Sequence, residues 1–307
     1  MLRVMVLRGG PSAEREISLK SGAAVAEACR ALGHQTSEAD IDPNDLSALD
    51  VPTDVIFPAL HGFFGEDGQL QSLMESRGLC FVGSGSEACE RTIDKISAKR
   101  IWRECGLPTS PWREVTPENL DELAGILTPP FVIKPVDQGS SLGVRVVKES
   151  GDALEALGQA LESWPRVMVE PYLRGRELTV GFLGEGLLPI IEIVPATETF
   201  GYDAKYVDQR TRYVVQPGLS SPVRELIEEI ASIAFASVGI RQLGRLDLIL
   251  DERHGPMLLE LNAIPGMTER SLVPMAARHV GLHFVEVIEQ LLDHATRRHA
   301  GLAEVAT

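Results

Sequence analysis

The chain has 307 residues, 44% of them hydrophobic, with a formal net charge of -15 and a pI near 5.0, enough apolar material for two or three globular domains. That acidic balance argues against sequence-independent binding to nucleic acid or to an anionic membrane, so any anionic ligand must be held by a few local cations. Four cysteines, Cys29, Cys80, Cys89 and Cys105, form no C-x-x-C pair, which disfavours a zinc site or disulfide framework and reads as reduced structural thiols in a cytoplasmic protein.

The N-terminal run Met1 to Leu7 meets Gly9-Gly10 too early for a signal peptide, and no segment approaches the roughly 18 apolar residues of a membrane span. Residues 4 to 7 read as a buried strand, Gly9-Gly10-Pro11-Ser12 as a turn, and 17 to 32 as an amphipathic helix stopped by Gly33. A second apolar run, 55 to 60, ends at His61-Gly62 and is followed by a helix carrying Leu70, Leu73 and Met74. Strand, turn and helix repeated in this way predict a doubly wound α/β unit, whose ligands sit at the carboxyl ends of the strands. Glu14, after the first strand, either holds an ammonium group or favours a helix N-terminus. His61, after the second, is either a catalytic residue or a structural strand-end histidine.

A helix from Ile96 to Cys105 leads to short strands at 131–134, 144–147 and 167–170, which together predict a small α+β domain. Lys134 leaves the first of these strands and opens the loop Pro135-Val136-Asp137-Gln138-Gly139-Ser140-Ser141-Leu142-Gly143, whose glycines and hydroxyls suit phosphate oxygens. The alternative is an exposed strand-end lysine. No G-x-x-x-x-G-K-[ST] or G-x-G-x-x-G is present, so phosphate would be held by another architecture. Val167 to Leu173, an apolar strand ending in Glu170 and a Pro-Tyr-Leu turn, suits an adenine slot or is an ordinary strand end. Strands near 178–183 and 188–194, a polar aperiodic loop at 196–213 and a helix at 222–238 follow, and a helix at 282–296 closes the chain.

Between those last two helices lies a hairpin. With Glu252 to Gly255 as its loop, Asp251 faces Pro256, Asp247 faces Glu260 and Arg245 faces Asn262, while Leu246, Leu248, Leu250, Met257, Leu259 and Leu261 share the core face. Two carboxylates about 4 Å apart repel by ~4 kcal/mol at an effective dielectric of about 20, which a bound cation would relieve. Asp247, Glu260 and Asn262 offer oxygen alone, which favours Mg²⁺ or Mn²⁺ over zinc; the alternative is a salt-bridged core.

Taken in order, Gly9 to Ser18, Leu60-His61-Gly62 with Gly65-Glu66-Asp67-Gly68, Asp94-Lys95, Lys134-Pro135 with Gly139 to Gly143, Glu177 to Val180, Tyr202 to Tyr206, Gly244 to Asp247 and Glu260 to Thr268 resemble the D-alanine:D-alanine ligases of the ATP-grasp superfamily. The resemblance implies a mixed α/β and α+β chain with the three-domain ATP-grasp fold: an N-terminal doubly wound α/β substrate domain (1–94), a central ATP-grasp subdomain (95–177) and a C-terminal domain with metal site and lid loop (178–307). It implies ATP-dependent joining of two D-alanine molecules through an acyl phosphate, for peptidoglycan precursor synthesis. Carried over by position, Lys95 and Lys134 contact ATP phosphates, Glu170 and Leu173 line the adenine slot, and Glu177 takes the ribose. Asp247, Glu260 and Asn262 hold two Mg²⁺ (or Mn²⁺) ions.

In the same carry-over, Arg245 and the Gly266 N–H form the oxyanion site. Glu14 orients the first substrate's ammonium and links to Ser140 and Tyr206, His61 lies near that substrate's carboxylate, and Lys205 and Ser271 bind the second carboxylate. The 196–213 stretch becomes a lid, and Ala204-Lys205-Tyr206 there favours an amide product over an ester. Two positions depart from the family pattern: Ala263 stands where a Thr is usual, and Phe63-Phe64 fill a loop that is commonly smaller. The expected partners are the small molecules ATP and D-alanine, with no nucleic acid and no membrane, and a homodimer is also expected. A ligase using D-lactate or D-serine as acceptor is the alternative reading. A nucleotide-binding protein without turnover is a further one, disfavoured by the presence of every charged position expected for chemistry.

Overall fold

The computed structural model describes residues 1–139, 142–195 and 211–305. Ser140, Lys205 and Tyr206 lie outside them. The N-terminal sheet is parallel, in the order β2 (Gln35–Asp40), β1 (Arg3–Arg8), β3 (Val55–Pro58). Strand alternation sends Val4 and Val6 to one core and Met5 and Leu7 to another, so both faces are covered. Helix α1 (Arg15–Ala31) lies on the first face; Ser18, Ser21, Gly22, Ala26 and Cys29 are small buried side chains that let it approach the sheet closely. Helix α2 (Gln69–Ser76) supplies Leu70 and Met74 to the second. The sequence reading missed β2, because Gln-Thr-Ser-Glu-Ala-Asp is a polar strand at a sheet edge, with no buried residue to set an apolar period.

Helices α3 (Ser86–Ile93) and α4 (Lys95–Glu104) follow, α4 capped by Asp94, whose carboxylate accepts the Ser97 N–H at 2.8 Å. They pack on the C-terminal sheet through Cys89, Ala98 and Trp102. The central unit is an antiparallel sheet, β4 (Arg113–Val115), β7 (Val167–Pro171), β5 (Phe131–Pro135) and β6 (Arg145–Val147), covered by α5 (Leu120–Ile126) and α6 (Ala153–Ser163). Its core, from Val115 to Val169, draws on its own residues.

The third sheet has six strands: β11 (Arg212–Val215), β10 (Ile191–Val194), β8 (Gly175–Gly184), β12 (Gln242–Asp251) and β13 (Gly255–Asn262) in that order, with β9 (Gly186–Leu187) on β8. Helix α7 (Ser221–Val238) packs there and ends at Gly239, whose φ of +84° is readily adopted by glycine. Helices α8 (Leu272–His279) and α9 (Phe284–Val305) close the chain. Residues of α8 and α9 share one core with α1, β1 and β3, so the N- and C-terminal units are fused through a common interior.

The hairpin departs from its expected form in a way that matters. Arg245 pairs with Asn262 and Asp247 with Glu260 as read from the sequence, but Asp251 faces Gly255, the loop is Glu252-Arg253-His254, and a bulge follows Asp247. The shorter loop has a local cause. Asp251 Oδ1 accepts the Arg253 and His254 N–H groups, each at 3.0 Å, and Gly255 takes φ +75°, the left-handed turn exit open to glycine. The bulge inserts Leu259 and reverses the phase beyond it. Leu258 is therefore in the core with Leu246, Leu248 and Leu261, while Leu259 faces the cleft beside Ile249 and Met257 leaves the expected core set. The cysteines are free thiols; Cys29, Cys80 and Cys89 are buried, whereas Cys105 is exposed, contrary to its reading as structural.

Candidate active site

A cleft opens where the central sheet faces the hairpin, with Val132, Val146, Leu142, Leu173, Ile249 and Leu259 among its apolar walls. Lys95, Lys134, Glu170, Glu177 and Glu260 line the same cleft. It thus brings together all five positions expected to bind ATP and one expected metal ligand. Lys134 is 8% exposed and paired with Glu170, which rules out the reading of a free surface lysine. Lys95, at the start of α4, reaches the Gln138 carbonyl at 2.5 Å and Glu260 at 3.5 Å.

Under the cleft floor Glu170 accepts contacts from Lys134 and from Lys99 (2.8 Å), and Ser110 Oγ donates to it at 2.6 Å. Burial pushes the Glu170 carboxyl up, but the two ammonium groups overcome that and hold it well below the ordinary range. Lys99 is pulled down by burial and supported by Glu170. Sequence reasoning did not single out Lys99. The available signal was its spacing, three residues after Ile96 and three before Trp102, on the buried stripe of α4.

At the hairpin, Asp247 is 1% exposed, and Arg245 grips it with two hydrogen bonds of 2.9 and 2.8 Å while Thr179 Oγ1 donates at 2.7 Å. Arg245 on one carboxylate and Lys95 near the other relieve the repulsion that the sequence alone had assigned to a metal. Among the described residues no group of three or more His, Cys, Asp or Glu suits a metal ion, so the expected set of two carboxylates and an amide must be judged on its atoms. Glu260 is partly exposed toward the cleft. Asn262 Nδ2 is buried with no hydrogen-bond partner among the described residues; a half-turn of the amide would put an oxygen at that unsatisfied position. Glu260 and Asn262 offer oxygens that suit an oxygen-loving divalent ion, whereas both carboxylate oxygens of Asp247 are engaged by Arg245.

A second cluster forms where the N-terminal loops meet the segment after β13. The Glu14 carboxylate packs so closely on the 139 loop that a Cβ at Gly139 would lie 2.8 Å from its Oε2, and one at Gly62 3.3 Å. Buried His61 Nδ1 lies 2.9 Å from the Ile264 carbonyl, which makes it the protonated nitrogen; burial pulls the imidazole pKa down, so the ring is neutral with a lone pair on Nε2. Glu66 accepts the N–H of Ile264 at 3.1 Å and of Gly62 at 3.3 Å. Burial and then the Glu14 charge push its carboxyl from 4.5 up to about 7. Ile264 is thus held at both its N–H and its carbonyl, two residues before Gly266. A Cβ on Gly266 would come within 3.2 Å of Ser271 Oγ, which accepts the Thr268 N–H at 3.1 Å. Glu14, His61, Gly266 and Ser271 are accordingly placed around the 62, 139 and 264–268 loops. Glu66 was quoted in the Gly65 to Gly68 motif without a role. Ala263 is buried in the core beneath Ile264, and Phe63 is exposed while Phe64 is buried.

A family model described as the D-ala D-ala ligase C-terminus matches residues 101–293, and one described as the D-ala D-ala ligase N-terminus matches residues 31–84. The D-alanine–D-alanine ligase of Bordetella avium is 41% identical over 300 residues, covering 96% of this chain and 95% of that protein. That of Moorella thermoacetica is 39% identical over 310 residues, covering 96% and 99%. Among solved structures, D-alanine–D-alanine ligase from Bacillus anthracis complexed with ATP superposes with a TM-score of 0.83 at 26% identity, covering 98% of this chain and 100% of that one. The Coxiella burnetii ligase gives 0.83 at 26% identity, covering 99% and 97%.

Proposed function

The chain belongs to the D-alanine–D-alanine ligase family, and from that premise we propose how its own side chains divide the reaction. The enzyme joins two D-alanine molecules at the expense of ATP, releasing ADP and phosphate, and serves peptidoglycan precursor synthesis. The carboxylate of the first D-alanine attacks the γ-phosphorus, ADP leaves, and the amine of the second D-alanine displaces phosphate from the resulting acyl phosphate. Both steps gather negative charge, so positioning and electrostatic stabilisation carry the catalysis.

In this assignment Lys95 and Lys134 hold the ATP phosphates, Glu170 and Leu173 the adenine and Glu177 the ribose. Glu260 and Asn262, with Asp247, would hold two Mg²⁺ (or Mn²⁺) ions, which would supply positive charge against the phosphate oxygens. Arg245 and the Gly266 N–H stabilise the oxyanion of the tetrahedral intermediate. Glu14 orients the first ammonium together with Ser140 and Tyr206, and neutral His61 lies by the first carboxylate. Ser271 and Lys205 take the second carboxylate. The observation that carries the assignment is the convergence of two clusters, a cleft lined by Lys95 and Lys134 that ends at Glu260 and a Glu14–His61 cluster that ends at Gly266, on the two ends of one segment, 260–266.

The assay is ADP release with D-alanine as sole amino acid, repeated with D-lactate or D-serine as competing acceptor. Turnover with D-alanine alone is expected; ADP release that needs D-lactate or D-serine would move the acceptor assignment to that compound. No helix of the described residues is long and apolar enough to cross a membrane. A cytoplasmic location is supported by the demand for ATP and by four free thiols. The homodimer rests on the resemblance alone, and sedimentation equilibrium reads it.

A further inference from the structure

Lys99 sits below the ATP cleft without touching it. Its side chain is fully buried, and its ammonium has four oxygens within reach: Glu170 at 2.8 Å, Ser110 Oγ at 3.0 Å, Thr109 Oγ1 at 2.7 Å and the Ser110 carbonyl at 3.5 Å. Ser110 Oγ donates its own hydrogen bond to Glu170, and Thr109 Oγ1 donates to the Leu258 carbonyl at 2.9 Å. Nothing of Lys99 is left over for a ligand. Lys134, on the other side of the same carboxylate, pairs with Glu170 and lines the cleft.

The charges of this buried group are one carboxylate and two ammoniums, a surplus of one positive charge. We propose that Lys99 is a positioning residue that neutralises Glu170 from below, so that the charge of Lys134 is not cancelled and remains available to an anionic ligand in the cleft. Without Lys99, Glu170 and Lys134 close into a neutral pair, and the phosphate end of the nucleotide loses a cation in a region of low dielectric. The inference rests on the reading of Lys134 as a phosphate contact. It gives a role to a lysine that the ligand-contacting set does not include.

The discriminating quantity is the ratio of ATP affinity to adenosine affinity, measured by competition against a fluorescent ATP analogue, because it cancels changes confined to the adenine slot. Lys99→Met is expected to lower this ratio by about tenfold, equivalent to about 1.4 kcal/mol, with the KM for D-alanine unchanged. The double variant Lys99→Met/Glu170→Gln, which restores the charge balance, is expected to recover the ratio. An equal loss of ATP and adenosine in Lys99→Met, the signature of a merely structural strut, overturns the proposal, as does a double variant that stays low. Should Lys99→Met fail to fold, Glu170→Gln alone decides: removing the carboxylate releases Lys134, so the ratio rises above the parent value, and an unchanged ratio overturns the proposal. Lys134→Gln separates the underlying reading. A ratio unaffected there removes the phosphate role of Lys134 and this inference with it, whereas a lowered ratio there leaves Lys99 to be judged on its own variants.

Discussion

Replacing Glu66 with Gln makes the pH dependence of stability readable at one buried site. The Glu66 carboxyl is pushed from 4.5 up to about 7, by burial first and by Glu14 second. Below pH 4.5 it is neutral in folded and unfolded chains alike, and the parent carries no penalty. Between 4.5 and about 7 the unfolded chain gives up the proton while the folded chain keeps it, so stability falls as pH rises, and above about 7 the loss is complete. At about 1.36 kcal/mol per pH unit the total is roughly 3 kcal/mol, which the amide variant does not experience. The amide accepts one of the two N–H groups well and the other poorly, an offset that does not vary with pH. Thermal midpoints followed by circular dichroism should therefore diverge across this window, the parent losing roughly 6 °C relative to Glu66→Gln at about 2 °C per kcal/mol. A difference curve that is flat from pH 4.5 to 7.5, or that slopes the other way, would refute the account of Glu66 as a strained, proton-retaining acid.

Other substitutions separate the roles of neighbouring residues. Leu258→Ala should cost about 2–5 kcal/mol of stability with little effect on nucleotide affinity, while Leu259→Ala should do the reverse, raising the KM for ATP severalfold; equal stability losses would refute the bulge. Glu260→Gln should leave the circular dichroism spectrum and midpoint near the parent's yet raise the Mg²⁺ concentration needed for half-maximal ADP release, and an unchanged metal titration removes Glu260 from the ligand set. Arg245→Lys keeps a cation beside Asp247 but loses the two-pronged grip, so kcat should fall about 10²–10³-fold with a much smaller change in KM. A fall confined to KM would place Arg245 in ground-state binding instead.

How far the sequence was legible depended on what each position had to satisfy. The Asp247–Glu260 pairing could be read from alternation, although by an assumed four-residue loop and an unbroken ladder. Those two errors cancel, since the real loop is one residue shorter and the bulge adds one back. What alternation could not show was the phase beyond the bulge, so Leu258 and Leu259 exchanged faces. Strand β2 escaped notice because its side chains bury little, and its place is fixed by backbone pairing to β1. Lys99 and Glu66 were illegible for a related reason. A charged residue inside a core is paired through tertiary contacts to Glu170, Ser110 or Ile264, and no periodicity in its own segment records those partners.

The three units share their cores unequally. Helices α8 and α9 share an interior with α1, β1 and β3, and the Ile264 peptide is clasped from both sides by His61 and Glu66. Relative rotation there would tear a continuous apolar mass and break the hydrogen bonds that hold Ile264. The central sheet keeps a private core and meets the rest through smaller contacts, among them the Ile96–Val136–Met168 cluster, the Asp94–Arg166 ion pair, the Lys99–Glu170 group, the Lys95–Gln138 hydrogen bond and the Glu14 carboxylate against Gly139. Displacement of the central sheet would therefore strain few apolar contacts, but because the 139 loop packs on Glu14 it would reshape the Glu14–His61 cluster together with the nucleotide cleft.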